Sequence, residues 1–326
     1  MLKTLIRRAL PLAILAATGL AGPARAEPST ATDPVLLAAR PNAHPEHAML
    51  LGAARAGQRI VAVGDHGTIA LSDDDGKTFR QARQVPVRAM LNAVAFVDDK
   101  HGWAVGHRGM ILATADGGET WALQRKDLEK DQPLFSVYFR DTQNGWACGL
   151  WSLLLETHDG GRSWQAVSLP VPEGAKRADR NLYGVFADPH GTLFIAAEQG
   201  KVLRSKDSGA HWETLDTGYK GSLWSGIALA DGTLMVGGLR GALYHSQDGG
   251  SHWETVKVPT LSSITAFATT TSGVVASALD GVVLTSKDSG RHFDAAQRAD
   301  RQALTGVITT PRGPLLFSKA GVLSGD

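Results

Sequence analysis

The sequence predicts an all-β chain: a seven-bladed β-propeller of four-stranded antiparallel blades, the last one closed by an N-terminal strand. Three observations carry that expectation. A turn of the form Ser/Thr-x-Asp-x-Gly-x-x-aromatic occurs six times, as "SDDDGKTF", "TADGGETW", "THDGGRSW", "SKDSGAHW", "SQDGGSHW" and "SKDSGRHF", with first residues 42, 43, 48, 41 and 40 positions apart. That period suits a blade in a radial array and is too long for a leucine-rich or β-helical coil. A strand ending in a small residue recurs seven times, at Gly64, Gly106, Gly149, Ala197, Gly238, Ala278 and Ser318. Finally, "PVLLAAR" from Pro34 to Arg40 reads as a strand with no blade of its own.

Within each unit the first strand follows Leu-x-x-Val-x-Phe, as in Leu91, Val94 and Phe96 and again in Leu134, Val137 and Phe139. The second strand ends in the small residue. The segments "GDHG", "GHRG" and "GLRG" then supply hairpin-turn chemistry. A third strand runs into the Asp-containing turn, and a short fourth strand leaves it. Four strands in about 43 residues make a propeller blade. The seventh unit, Leu304 to Gly325, stops before its fourth strand, so Val35 to Ala39 is expected to supply it and hide both sheet edges.

The domain reading is a signal peptide at 1–26, a linker with the ring-closing strand at 27–48, and the propeller at 49–326. Lys3, Arg7 and Arg8, the apolar run "ALPLAILAATGLA" and "ARA" ending at Ala26 read as a Sec-type secretory leader, so export is expected, to the periplasm as the primary reading with a thylakoid lumen as the alternative. Without those residues the chain carries 29 Lys and Arg against 32 Asp and Glu, a formal charge of −3, which disfavours nucleic-acid binding. The single cysteine, Cys148, stands where other units put Val63, Val105 or Ala196 and reads as a buried filler.

In the repeated turn, Asp74, Asp116, Asp159, Asp207, Asp248 and Asp288 have a structural role. A carboxylate and a hydroxyl satisfy local backbone groups, and the Gly permits a positive φ. "SDDDG" begins like a calcium loop but lacks the closing Glu, and "HPEH" (His44 to His47) reads as a solvated loop, so no metal and no cofactor is expected. Neither Gly-x-Ser-x-Gly nor His-Glu-x-x-His occurs. Asp65, Glu198 and Asp280 share one rim, which leaves a glycosidase-type carboxylate pair open.

The hairpin turns and the connections between blades share one face, opposite the Asp-containing turns. Candidate binding residues there are His66, Arg88, Arg108, Trp151, Arg180, Glu198, Trp224 and Arg240. Six of the eight tryptophans belong to the repeat; Trp151 and Trp224 do not, and with Phe135 and Tyr183 they form a prospective aromatic sector on blades three to five. Arginine and tryptophan are enriched in binding hot spots. The alternative is that the arginines cap exposed turns and the aromatics fill gaps between blades.

The repeated turn is the Asp box of BNR-repeat propellers. These include the sialidases, but the Arg-Ile-Pro motif is absent and only Tyr219 is free of the repeat strands. In "GWAVGHRGMILATADGGETW" and "NGWACGLWSLLLETHDGGRSW" above all, the chain resembles the photosystem II stability/assembly-factor family, over Met49 to Asp326. The resemblance implies a non-enzymatic seven-bladed scaffold that holds membrane-protein assembly intermediates on an arginine-rich face. Arg108 and Arg240 fall at matching turns, while Trp151, Gln199 and Asp280 break the basic pattern. Exported relatives outside photosynthesis imply an envelope or membrane protein complex as partner, possible service to an RND-type exporter, and a monomeric chain. A carbohydrate-binding or small-ligand propeller, or a weak glycoside hydrolase, is the alternative.

Overall fold

The computed structural model describes residues 33–172, 174–271 and 273–323. The leader at 1–26 lies outside the described residues. Seven antiparallel sheets follow one another along the chain, each in simple meander order, six of four strands and the last of three. The first strand of each blade touches the first strands of the blades on either side, and Leu304–Thr310 of the seventh returns to Leu50–Ala56 of the first, so the ring closes. No helix of the described residues is long and apolar enough to cross a membrane.

Second strands are buried along almost their whole length, as at Gly102–Gly106, Gly145–Gly149, Leu193–Ala197 and Leu234–Gly238. Each is covered on both faces by neighbouring blades, which is why these segments read as continuous apolar runs instead of alternating ones. Cys148 is fully buried in such a strand, packed with Trp146 and Leu154, and burial pushes its thiol pKa up.

The Leu-x-x-Val spacing of the first strands has a structural cause. In a regular strand, residues three apart face opposite sides. Here Leu91 and Val94 join one apolar cluster, as do Leu134 and Val137, and Leu182 and Val185. A bulge after the leading apolar residue accounts for it: Leu91 pairs with Gly106, Ala93 with Val105, and Asn92 is left over. The same slip occurs in all seven first strands, leaving Leu51, Asn92, Phe135, Tyr183, Trp224, Thr265 and Thr305 as the extra residues. Bulges re-aim side chains and sharpen twist.

The small residue ending each second strand answers to space. Gly106 has an extended backbone (φ −170°), yet a Cβ there would come within 2.0 Å of the Met90 carbonyl oxygen.

The closing strand expected from Val35 to Ala39 does not form. Asp33 caps a 3-10 turn at Pro34–Leu36 by accepting from the Val35 amide at 3.1 Å, with Pro34 at the first helical position. Val35, Leu36 and Ala39 then pack on the first blade's core, and Ala39 and Arg88 pair by backbone hydrogen bonds with Val85 and Val35. The seventh blade keeps three strands, Leu304–Thr310, Gly313–Ser318 and Gly321–Leu323. A second 3-10 turn, Pro45–His47, lies against its outer strand and against the outer strands of the first blade, in the position of the missing fourth strand. Closure therefore comes from a wedge.

Candidate functional site

On the Asp-turn face the repeated residues are fully occupied by their own loop. Asp159 Oδ1 accepts from the Thr157 hydroxyl (2.8 Å) and the Ser163 amide (2.9 Å), and Oδ2 accepts from the Ser163 hydroxyl (2.6 Å). The Thr157 hydroxyl in turn accepts from the Gly161 amide at 2.9 Å. Hydrogen bonds from Ser163 hold the Asp159 pKa at about 2. Blades four to six place His211, His252 and His292 where the earlier ones have Thr78, Thr120 and Ser163, each with Nδ1 2.6 Å from the carboxylate. Every one of the six carboxylates has its pKa lowered.

The opposite face is built on a shared backbone with unshared side chains. In six blades the hairpin between the second and third strands has its first central residue in the left-handed region: His66 (φ 51°), Arg108 (56°), Trp151 (53°), Gln199 (60°), Arg240 (54°) and Asp280 (64°). The next residue is left-handed too, Ser152 in the third blade and Gly in the other five. Two consecutive positive φ values define a type I′ turn, whose first position favours Asn, Asp or Gly. A bulky residue there costs of order 1 kcal/mol and persists only where something else requires it. Arginine twice, tryptophan and histidine once each are poor choices for the turn and good ones for contact with a partner.

The eight candidate residues differ in how free they are. Arg240 is exposed and its guanidinium has no hydrogen bond or ion pair among the described residues; only its amide is held, by the Ser263 hydroxyl at 3.2 Å. Trp151 is 55% exposed and borders a 330 Å³ cavity with Lys130, Asp131, Gln132 and Arg177. His66 is exposed beside Asp65 at 3.1 Å. Arg108, half-buried, donates to the Leu128 carbonyl at 3.2 Å, and Arg88 to the Ala38 carbonyl at 2.8 Å. Arg180 donates to Gln199 Oε1 at 3.1 Å. These three keep further donors available.

Glu198 is different. Its carboxylate accepts from the Asn181 amide (2.9 Å), Asn181 Nδ2 (2.8 Å) and the Tyr183 hydroxyl (3.3 Å), so it fastens the inter-blade connection. Asp280 is held by Arg301 at 2.6 and 3.1 Å and by Gln297 at 3.0 Å, and the hydrogen bond from Arg301 lowers its pKa. Tyr219 donates its hydroxyl to the Leu239 carbonyl at 2.9 Å.

The aromatic sector is assembled in part. Phe135 and Tyr183 stack with ring centroids 5.6 Å apart, and both, like the half-buried Trp224, are the bulged residues of consecutive first strands. The bulge thus puts all three at the same level of the inner ring. Among the described residues neither Trp224 nor Trp151 stacks on the Phe135–Tyr183 pair.

A second concavity on this face was not visible in the sequence. Arg40, Asn42, His47, Asp65, His66, Arg88 and Lys319 line a cavity of about 750 Å³ where the first and last blades meet. The readable signal was the pair Pro41 and Pro45, which breaks any strand through this segment and lets it fold over the rim.

Residues 81–172 match the family model described as "Photosynthesis system II assembly factor YCF48". Over those residues, fewer than a third of its length, the chain is similar to the photosystem II assembly factors. It is 39% identical over 136 residues to the photosystem II assembly protein Ycf48 of Thermosynechococcus vestitus, a stretch covering 41% of this chain and 38% of that protein. It spans well under half the length of the curated relatives it matches. The fold likeness is wider. A structure described as "YCF48 bound to D1 peptide" superposes with a TM-score of 0.68 at 19% identity, covering 89% of this chain and 96% of that one. A streptogramin B lyase structure reaches 0.69 at 14% identity, covering 86% and 94%. At such identities the likeness concerns the fold alone.

The assembly-factor-like stretch runs from the outer strand of the first blade through the third. It contains Arg88, Arg108 and Trp151 but not His66, Arg180, Glu198, Trp224 or Arg240. Five of the eight candidate residues therefore lie outside the matched sequence.

Proposed function

We propose that this chain is a non-enzymatic exported scaffold that holds an envelope or membrane protein complex on the hairpin-turn face of the propeller, from a periplasmic location reached through the leader at 1–26. The observation that carries the reading is the series of left-handed turn positions occupied by His66, Arg108, Trp151 and Arg240. Support comes from the relative whose structure is described as bound to a D1 peptide, which makes a protein segment the ligand class to test first. Service to an RND-type exporter belongs to the same proposal.

A non-enzymatic role is supported by the state of the rim carboxylates. Glu198 and Asp280 are engaged by hydrogen bonds and an ion pair that fasten the inter-blade connections, which gives both a structural role. The double variant Arg108→Glu/Arg240→Glu should recover its partner from crosslinked, solubilised envelopes at least about tenfold less well, since reversing charge at desolvated contacts costs several kcal/mol. Undiminished recovery would sink the proposal. The cavity beside Trp151 favours a second reading, a glycan or small-ligand site. Binding on a glycan array that disappears in Trp151→Ala would establish that reading instead.

A further inference from the structure

We propose that His44, Glu46 and His47 form a binding site for a divalent transition-metal ion of the zinc type, placed on the wedge that closes the propeller ring. The three side chains offer one ligand atom each, all within 4.8 Å of one another. His44 Nδ1 is 3.2 Å and His47 Nε2 4.0 Å from Glu46 Oε1, and the two imidazoles lie nearly parallel, with centroids 5.7 Å apart and planes at 17°. Ligand atoms at roughly 2.0–2.1 Å around a tetrahedral ion stand about 3.3 Å apart, close to the spacing the cluster already has, so drawing it in would complete three corners. Two imidazoles and a carboxylate are the donor set that selects such ions over calcium or magnesium.

The Glu46 carboxylate supplies the second observation. Its Oε2 is buried and has no hydrogen-bond partner among the described residues. Holding a carboxylate oxygen away from water without a donor is costly, and a cation on the same group offsets the cost. Both imidazoles are largely exposed, which leaves the fourth corner open to water or to a group from a bound partner.

The position gives the ion a task. The 3-10 turn Pro45–His47 touches Gly321–Leu323 of the seventh blade and the outer strands of the first, and a Cβ on Gly321 would come within 1.9 Å of the Glu46 carbonyl oxygen. Among the described residues no fourth strand seals this junction, so an ion that fixes the turn also fixes the ring closure.

The test uses untagged full-length protein and Zn²⁺. Calorimetric titration should show a single strong site per chain, Co²⁺ should give the visible absorption of a tetrahedral centre, and saturating Zn²⁺ should raise Tm. His44→Ala/His47→Ala and the milder Glu46→Gln should each weaken binding at least about tenfold and abolish the Tm rise, while melting without metal as the parent does. Binding of equal strength in the variants would assign the ion to other exposed histidines such as His211 and overturn the proposal. So would the absence of a stoichiometric site.

Discussion

The two faces of the propeller are made by turns of equal regularity and use their side chains in opposite ways. On one, the turn repeats its Ser or Thr, Asp, Gly and aromatic positions, and Asp, Ser or Thr and Gly spend their hydrogen bonds inside the loop. On the other, the backbone repeats just as faithfully, with the same left-handed pair in six blades, while the residue at its head changes from His to Arg, Trp, Gln, Arg and Asp. Sequence identity between copies marks what the fold needs. Variation at a position whose backbone is fixed, where most of the residues suit that backbone poorly, marks under the proposed function what a partner needs.

The largest effect should come from the packing that both faces share. Trp146 is fully buried, stacked on Tyr138, with the Arg140 guanidinium 5.1 Å from its ring centre. Trp146→Ala should cost ~3–5 kcal/mol, read as a fall in the urea midpoint, with partner binding lost only as the protein unfolds.

Acid sharpens the comparison from the Asp-turn side. The folded pKa values of Asp159 and Asp207 sit at about 2, below the ordinary carboxylate value of 3.8, so the folded state binds fewer protons than the unfolded one. The stability they contribute is complete above about pH 4 and is lost as pH falls toward 2. The urea midpoint should stay level from pH 7 to about 5 on their account and fall steeply below 4, less steeply in Asp159→Asn. An equally steep fall in that variant would refute the role given to the turn.

The smallest effect tests the hairpin face. Asn suits the first position of a type I′ turn better than Arg, so Arg240→Asn should stabilise the protein by ~0.5 kcal/mol while weakening partner binding. A loss of stability would mean that Arg240 serves the turn.

Much of this was legible in the sequence. Seven blades follow from seven small-residue hairpins and six Asp turns, because each turn chemistry is local. The bulges were present as a clue in Leu-x-x-Val, a spacing that suits no regular strand, but a bulge is a relation between two strands and only the register reveals it. The segment from Pro34 to Arg40 misled because apolarity was weighed above its proline: Asp33 and Pro34 nucleate a 3-10 turn, and the apolar residues bury against the first blade instead of pairing with the last. Glu198 was chosen as a binding residue for its place on the rim, whereas its carboxylate is taken up by Asn181 and Tyr183, partners that come from the preceding connection and strand. Trp151 stood out because it departs from the basic pattern of the turns and Arg240 because it repeats that of Arg108, and neither comparison requires knowledge of contacts.

Site-directed photocrosslinking tests the central claim most directly. A photoreactive side chain would be placed singly at Trp151 or Arg240 on the hairpin face, and at the exposed Lys77, Arg162 or His252 on the Asp-turn face, with adducts from intact envelopes identified by mass spectrometry. The account requires the same protein partner to be captured from both hairpin positions and from none of the other three. Capture of that partner from the Asp-turn face, with the hairpin positions silent, would contradict it.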